Sequence, residues 1–282
     1  MKLVSWNLLH GEQVPPLSTS AQLSHTLSDL IHKASTVLGE LGVEVLALQE
    51  VDENQDRSGN LHQVRLLAQA IGAEQWAFAP TLIGTPGESW RALTEGDADL
   101  HTSASPTPDG EISSYGLGLI SKIEVRRWHR LELGRSRVGL PLAIPASGEG
   151  QQSGKIRFIY VKDEPRVALA AELANGFTVV VTHLSFVPFV NYYQLRKIRS
   201  WLKKLPGEKI LVGDFNLGWD LPVRGTQWRS LKTMNTYPSW NPKIQFDYIS
   251  AYLPTFGERE CRPLDIPEMG FSDHLPIGVE IL

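Results

Sequence analysis

Ile210-Leu211-Val212-Gly213-Asp214-Phe215-Asn216 is an apolar run that ends in a carboxylate and a carboxamide. Three aliphatic residues in a row read as a short buried strand, and Gly213 relieves the backbone where the chain turns. Asp214 and Asn216 therefore emerge at the strand's carboxyl end, where an open α/β sheet keeps its chemistry. Asp can orient and deprotonate a water, and Asn can donate a neutral hydrogen bond to a developing oxyanion. A strand followed by an Asx-turn explains the same four residues without any chemistry. The surrounding sequence decides between the two.

Leu3-Val-Ser-Trp-Asn7 starts a strand close to the terminus and delivers Asn7 at its end, an arrangement that leads us to expect little ahead of the domain. A loop with Pro15 and Pro16 follows, in which Thr19 or Ser20 can cap a helix whose apolar positions recur from Leu23 to Leu41 at steps of three and four. Val43 to Asp52 is nearly continuous in apolar residues and closes on Glu50; a carboxylate at the tip of such a strand needs solvent or a cation. Leu61 to Ile71 reads as a second helix, and Trp76 to Phe78 as a short strand.

Residues 84–114 hold six acids against the single base Arg91, among Pro, Ser, Thr and Gly, and are expected to form an acidic loop insertion, either a solvated flap or a lid. Tyr115 to Ser121 returns to strand. Arg126, Arg127, Arg130, Arg135 and Arg137 follow in a short span with Trp128 and His129, as a basic edge strand or as phosphate contacts. Beyond a turn at Gly148 to Gly154, Ile156 to Val161 and Val167 to Leu173 resemble successive antiparallel strands. Asn175-Gly176 is a hairpin turn into Phe177 to His183. Tyr193 to Leu205 is helical, with Arg196, Lys197, Arg199, Lys203 and Lys204 read as a solvated polar face. Gln245 to Ser250 is a strand that carries Asp247 in an apolar setting, and a buried carboxylate requires a donor. Ser272-Asp-His274 precedes a terminal strand, Ile277 to Leu282.

A length of 282 residues suits one large α/β domain, and neither repeats nor a composition break mark a second. The formal net charge of -4 provides no global field for a polyanion, so any such binding must come from local patches. Cys261 is the only cysteine, which excludes an intrachain disulfide and thiolate metal clusters and leaves oxygen or imidazole as metal donors. No stretch approaches the roughly 18 apolar residues of a membrane span, and no export segment is evident, so a cytoplasmic monomer without a stable protein partner is the expectation.

Asn7, Glu50, His183, Asp214, Asn216, Asp247, Asp273 and His274 all lie at or near the ends of apolar strands. So many groups of the types that bind hard cations and move protons point to one crevice and to attack of water on a phosphate ester. Glu50 and Asn7 would hold a divalent ion, Mg²⁺ or alternatively Mn²⁺, to neutralise charge on a phosphate oxygen. Asp214 would activate the water. His183 and His274 would donate to other phosphoryl oxygens, with Asp247 holding the His274 imidazole in its tautomer and favouring its charged form.

Ser5-Trp-Asn7, Leu48-Gln-Glu-Val51, Tyr115 to Lys122, Thr182-His-Leu184, Gly213-Asp-Phe-Asn216, Phe246-Asp-Tyr-Ile249 and Ser272-Asp-His274 together resemble, in order, the endonuclease/exonuclease/phosphatase family. Its members include deoxyribonuclease I, exonuclease III, bacterial sphingomyelinases and inositol polyphosphate 5-phosphatases. The resemblance implies a four-layered α/β sandwich of the deoxyribonuclease I type, two stacked mixed sheets flanked by helices. It implies further that Asn7, Glu50 and Asp273 lie at the metal, that Asp214 and Asn216 handle the nucleophile, and that Asp247 pairs with His274. By the same resemblance, Arg166 approaches the substrate phosphate and Tyr115 belongs to the substrate site.

The sequence also departs from its relatives. Leu9 stands where some repair nucleases carry an acid, and no prolonged apolar hairpin of the sphingomyelinase kind is evident. Leu184 to Val190 is an aromatic-aliphatic loop beside His183 that can pack under the loop or meet a lipid or a base. The expected activity is metal-dependent phosphodiester hydrolysis, on nucleic acid or on a phospholipid or small metabolite. A catalytically silent phosphate-binding module is the reading from another class, and a serine hydrolase is disfavoured because no nucleophile elbow is present.

Overall fold

The structure is a computed structural model that describes residues 1–13, 27–106, 112–145 and 156–282. Thr19, Ser20, Asp109, Glu111 and the turn expected at Gly148 to Gly154 lie outside the described residues. The first half of the chain supplies β1 (Lys2–Asn7), α1 (Leu27–Glu40), β2 (Val45–Glu53), α2 (Gln63–Ala70), β3 (Gln75–Gly84), β4 (Trp90–Ala92), β5 (His101–Thr102), β6 (Ser114–Ser121), β7 (Val125–Gly134) and β8 (Leu140–Pro145). The second half supplies β9 (Ile156–Val161), β10 (Arg166–Leu173), β11 (Phe177–His183), α3 (Val190–Leu202), β12 (Glu208–Asp214), β13 (Trp228–Ser230), β14 (Asp247–Tyr252), α4 (Leu253–Phe256), β15 (Cys261–Leu264) and β16 (Ile277–Ile281).

One mixed sheet runs β15-β16-β1-β2-β6-β3-β4, with β5 also on β3; the other runs β13-β14-β12-β11-β10-β7. The alternation of side chains along each strand explains why both faces are apolar. Leu3, Val45 and Leu119 of the first sheet meet Leu169, Val181 and Val212 of the second in a shared core. The opposite face of the first sheet buries Leu46, Leu48 and Phe78 against Ala34 and Leu38 of α1 and Val64 and Leu67 of α2. The outer face of the second buries Ala168, Val180 and Leu211 against Leu195, Ile198 and Leu202 of α3. These are the four layers expected from the sequence. Among the described residues, no helix is long and apolar enough to cross a membrane.

The end of the sandwich that gathers the polar side chains is set by parallel pairs. β1 runs parallel to β2 with Asn7 opposite Gln49, and β11 runs parallel to β12 with His183 opposite Asp214. β14 enters antiparallel to β12 and places Asp247 opposite Asp214. Both sheets thus bring their carboxylates and imidazoles to one end of the sandwich.

Two expectations require correction. β9 does not pair with β10; it pairs antiparallel with β8 in a separate two-stranded sheet. Both edges of β10 are already taken by β7 and β11, so no ladder remains for β9. This two-stranded unit, with Tyr160 of β9 exposed, is also a feature that the sequence did not reveal. Residues 84–114 are not merely a loop: β4 and β5 hydrogen-bond to β3, because β3 continues to Gly84 and its outer edge offers unpaired backbone groups. Within this stretch Asp97 is engaged by Arg91 at 2.6 Å and by Thr94. β7, by contrast, is the edge strand that its arginines suggest.

Candidate active site

Asn7 is fully buried, and its carboxamide Nδ2 donates to Glu50 Oε1 at 2.8 Å and to Asp214 Oδ2 at 3.1 Å. One side chain therefore spaces a carboxylate from each sheet. Its Oδ1 accepts the Leu9 N–H at 3.1 Å, which fixes the orientation of the amide. Glu50 itself sits in a bulge of β2, at a positive φ of 53° that interrupts pairing with β6 between Leu48 and Val51. The bulge turns a side chain out of a strand that is otherwise apolar on both faces.

Asp214 is only 2% exposed. Its Oδ1 accepts the Asn216 N–H at 2.9 Å, the Asx-turn that the sequence allowed, while its Oδ2 lies 3.5 Å from His183 Nε2 and 3.7 Å from His274 Nε2. The structural and chemical readings of the stretch thus coexist. Burial raises the Asp214 carboxyl to about 7; the charge of His274 opposes this and that of Asp247 adds to it.

His274 Nδ1 lies 2.7 Å from Asp247 Oδ2. Burial alone would favour the neutral ring, but the Asp247 and Asp214 carboxylates outweigh it and raise His274 to about 10. The imidazolium donates to Asp247 through Nδ1 and presents Nε2–H to the cleft. The ring is held from behind by the Tyr237 ring, at 5.0 Å between centroids, and its backbone N–H donates to Ser272 Oγ at 3.1 Å.

His183 has the opposite state. Arg166 Nη1 lies 2.9 Å from His183 Nδ1, and a guanidinium can only donate, so Nδ1 accepts and the ring proton resides on Nε2. Burial and the Arg166 charge hold this imidazole neutral, well below its usual pKa. Asn216 Nδ2 approaches Nε2 to 3.2 Å, but two donors cannot bond; the carboxamide instead donates to Leu184 O at 2.9 Å. His183 Nε2–H is left for an oxygen in the cleft. Arg166 is 5% exposed and occupied with His183, which places it behind the imidazole. Tyr115 is likewise buried, with its hydroxyl held well above its usual pKa by burial and by the Glu50 charge.

Asp273 raises the question of a cation. Its Oδ1 is buried without a hydrogen-bond partner, and burial with the nearby Glu50 charge raises its carboxyl to about 6. Glu50, Asp214 and Asp273 therefore crowd negative charge that His274 alone does not balance. That set of carboxylates suits a hard divalent ion, while Asn7, expected at the metal, turns its Nδ2 and not its Oδ1 toward them. Asp214, Asp247 and His274 also have potential ligand atoms within 4.8 Å of one another. A protonated His274 bound to Asp247 cannot ligate, so the Glu50 and Asp273 side of the cleft is the better cation site.

Sequence reasoning missed Asp163 and Glu164, which are drawn in beside Arg166 at 4.0 and 3.8 Å. Burial raises the Glu164 carboxyl, and Glu50 adds to the shift. The signal was there in Lys162-Asp-Glu-Pro-Arg166, acids directly ahead of the strand carrying the arginine. Asn191 was also missed; its Nδ2 donates to Asn216 O at 3.0 Å and ties α3 to the catalytic loop. In the Leu184 to Val190 loop, Leu184 and Ser185 pack inward whereas Phe189 is 88% exposed.

The sequence pattern that defines the endonuclease/exonuclease/phosphatase family matches residues 4–274. No curated protein sequence matches the chain significantly. Among solved structures, a conserved protein of unknown function from Enterococcus faecalis superposes with a TM-score of 0.59 at 16% identity, covering 100% of this chain and 99% of that one. The mannosyl-6-phosphatase of Bacteroides thetaiotaomicron gives 0.58 at 11% identity, with 100% and 99% covered. A humanized D. rerio TDP2 gives 0.54 at 14% identity, with 100% and 98% covered. At these identities the likeness establishes the fold.

Proposed function

The chain belongs to the endonuclease/exonuclease/phosphatase family, whose members are hydrolases acting on phosphate esters, and on that premise we propose that it hydrolyses a phosphodiester with a water activated by Asp214. The observation that carries this reading is the placement of Asp214: a buried carboxylate whose Oδ2 lies 3.5 Å from His183 Nε2 and 3.7 Å from His274 Nε2, beside two imidazole N–H groups that can bind phosphoryl oxygens. Burial holds this carboxyl above its ordinary range, which makes its carboxylate a better proton acceptor than an exposed one.

In this reading Asp214 accepts a proton of the attacking water as the water oxygen bonds to phosphorus, and the ester P–O bond breaks to release the leaving alcohol, whose alkoxide oxygen takes a proton from solvent. Asn7 holds Asp214 and Glu50 in register. The His274 imidazolium, kept charged by Asp247, and the neutral His183 Nε2–H donate to non-bridging oxygens as negative charge builds there. Arg166 fixes the His183 tautomer, and Asn216 braces the loop through Leu184. Glu50 and Asp273, with Asn7 close by, would hold a divalent ion, Mg²⁺ or Mn²⁺, which when bound supplies charge neutralisation at a phosphoryl oxygen.

The test uses purified protein stripped with chelator, then bis-p-nitrophenyl phosphate and p-nitrophenyl phosphate with EDTA, Mg²⁺ or Mn²⁺, and Asp214→Asn as control. Diester cleavage that requires metal and disappears in the variant supports the reading. Cleavage of the monoester alone would replace it with a phosphomonoesterase, the activity named for the Bacteroides thetaiotaomicron neighbour. Cleavage of neither, with metal-dependent binding of phosphate, would favour a silent phosphate-binding module.

A further inference from the structure

Away from the cleft, α3 and the edge strand β7 enclose a concavity of about 520 Å³. Its apolar floor is Leu131 and Trp201, and its walls carry Tyr193, Arg196, Lys197, Ser200 and Lys204. From Val190 to Leu205 the chain has five cations and no acid. Two of the five are used within the protein: Arg199 is buried against the Trp228 ring at 5.2 Å, and Lys203 lies over Tyr252 at 5.9 Å. The other three line the concavity. His129 of β7, whose ring meets Trp201 edge-on at 6.4 Å, is already matched to Glu172 at 2.6 Å, so that carboxylate does not serve the three.

The helical period sorts these residues into two adjacent rows. Phe189, Tyr193, Lys197 and Trp201 form one, and Arg196, Ser200 and Lys204 form the other. The first is three rings with one cation among them, and the second is two cations with a hydroxyl between them. Phe189 and Tyr193 are 88% and 64% exposed, and Phe189 holds its ring outward from a left-handed backbone with φ 67°. A solvated helix face needs neither the concavity nor exposed rings at four-residue spacing. Arg196, Lys197 and Lys204 place three like charges on one face within about two helical turns, which a bound polyanion would offset.

We propose that this groove binds single-stranded nucleic acid, with phosphates on Arg196, Lys197 and Lys204 and unpaired bases stacked on Phe189 and Tyr193. Sequence-tolerant strand binding uses this combination of a cationic track and aromatic platforms. A duplex hides its base faces. Phe189 is the one fully apolar ring that protrudes from this face, too little apolar area to seat on a bilayer, whereas the three cations and Trp201 line a hollow shaped for a strand. The groove extends about 16 Å from Tyr193 to Lys204 at the helical rise. Its near end adjoins the catalytic loop through the Asn191 to Asn216 hydrogen bond of 3.0 Å. The inference rests on the proposed phosphodiesterase reading for its biological sense and names the substrate class of that site.

Binding of a fluorescein-labelled oligothymidylate is measured by anisotropy in EDTA, where turnover is prevented, across a salt series. The comparison is between the parent, the triple variant Arg196→Gln/Lys197→Gln/Lys204→Gln, and Tyr193→Ala. The triple variant should bind at least about tenfold more weakly and lose about 2 from its salt slope, since each phosphate contact to a single strand contributes about 0.7. Tyr193→Ala should weaken binding about fivefold or more and leave the slope unchanged. All variants should cleave bis-p-nitrophenyl phosphate at the parental rate. Equal affinity of parent and triple variant overturns the proposal. So does binding of phosphatidylserine vesicles, in place of the oligonucleotide, that depends on the same three residues. A parent that cleaves the small diester but binds no strand overturns the groove and leaves the phosphodiesterase reading intact. Strand binding through these residues without any diester cleavage supports the groove and refutes that reading.

Discussion

His274 and Asp247 form a buried ion pair, with Nδ1 and Oδ2 2.7 Å apart, and the other imidazole nitrogen faces Asp214 at 3.7 Å. Asp247 opens β14 of one sheet and His274 lies in the loop leading into β16 of the other, so the pair depends on correct stacking of the two. It turns a histidine that burial would neutralise into a fixed cation, at the place where the proposed reaction calls for charge against a phosphate.

His274→Ala should lower kcat by about 10² or more, and Asp247→Ala should do much of the same damage by releasing the ring. In the double variant the losses should overlap instead of multiplying. Fully additive effects in a double-mutant cycle would show that the two act independently.

Asp273 should couple pH to stability in metal-free protein. Its carboxyl is raised to about 6, above the 3.8 of the unfolded chain, so the folded state binds the proton more tightly. That contribution favours folding below pH 3.8 and is lost as pH rises through 6. Asp273→Asn, which carries no charge to bury, should therefore gain Tm relative to the parent above pH 6, the gain vanishing near pH 4. With Mg²⁺ the order should reverse at high pH. An identical Tm difference at all pH values in EDTA would disprove the assignment.

Glu50→Gln should raise the Mg²⁺ concentration needed for half-maximal rate while leaving the fold intact, because Asn7 can still donate to the amide oxygen. An unchanged metal requirement removes Glu50 from the cation site.

Arg166 and His183 offer a spectroscopic check. Imidazole ¹⁵N shifts in the parent should report a neutral ring protonated at Nε2, and Arg166→Met should shift it towards a mixture of tautomers. A parent ring protonated at Nδ1 would contradict the direction of the 2.9 Å hydrogen bond.

Gly213→Ala should be destabilising by about 3 kcal/mol or more, on the scale of the most damaging single substitutions. At φ 131° an added Cβ would lie 1.9 Å from the Thr182 carbonyl oxygen, which is backbone and cannot move aside. Wild-type stability in urea would remove the steric argument.

The sequence by itself determined the central strands β1, β2, β6, β10, β11, β12, β14 and β16 and the polar residues at or near their tips, but not β4, β5, β8, β13 or β15. Those properties are local: an apolar run with Glu50 or Asp214 at its end has one sensible orientation in a covered sheet. It also gave Asp247 a need for a donor, which His274 meets. Only the tertiary structure decided what lies between strands distant in the chain. It took β9 away from β10, because β7 and β11 already occupy both edges. It set Arg166 behind His183, fixing a tautomer that no spacing encodes, and enclosed the α3 cations against β7, where helical periodicity alone reads as a solvated face. These outcomes depend on which neighbours fill a hydrogen-bonding edge or a charge's surroundings, and such neighbours are chosen when the two sheets pack.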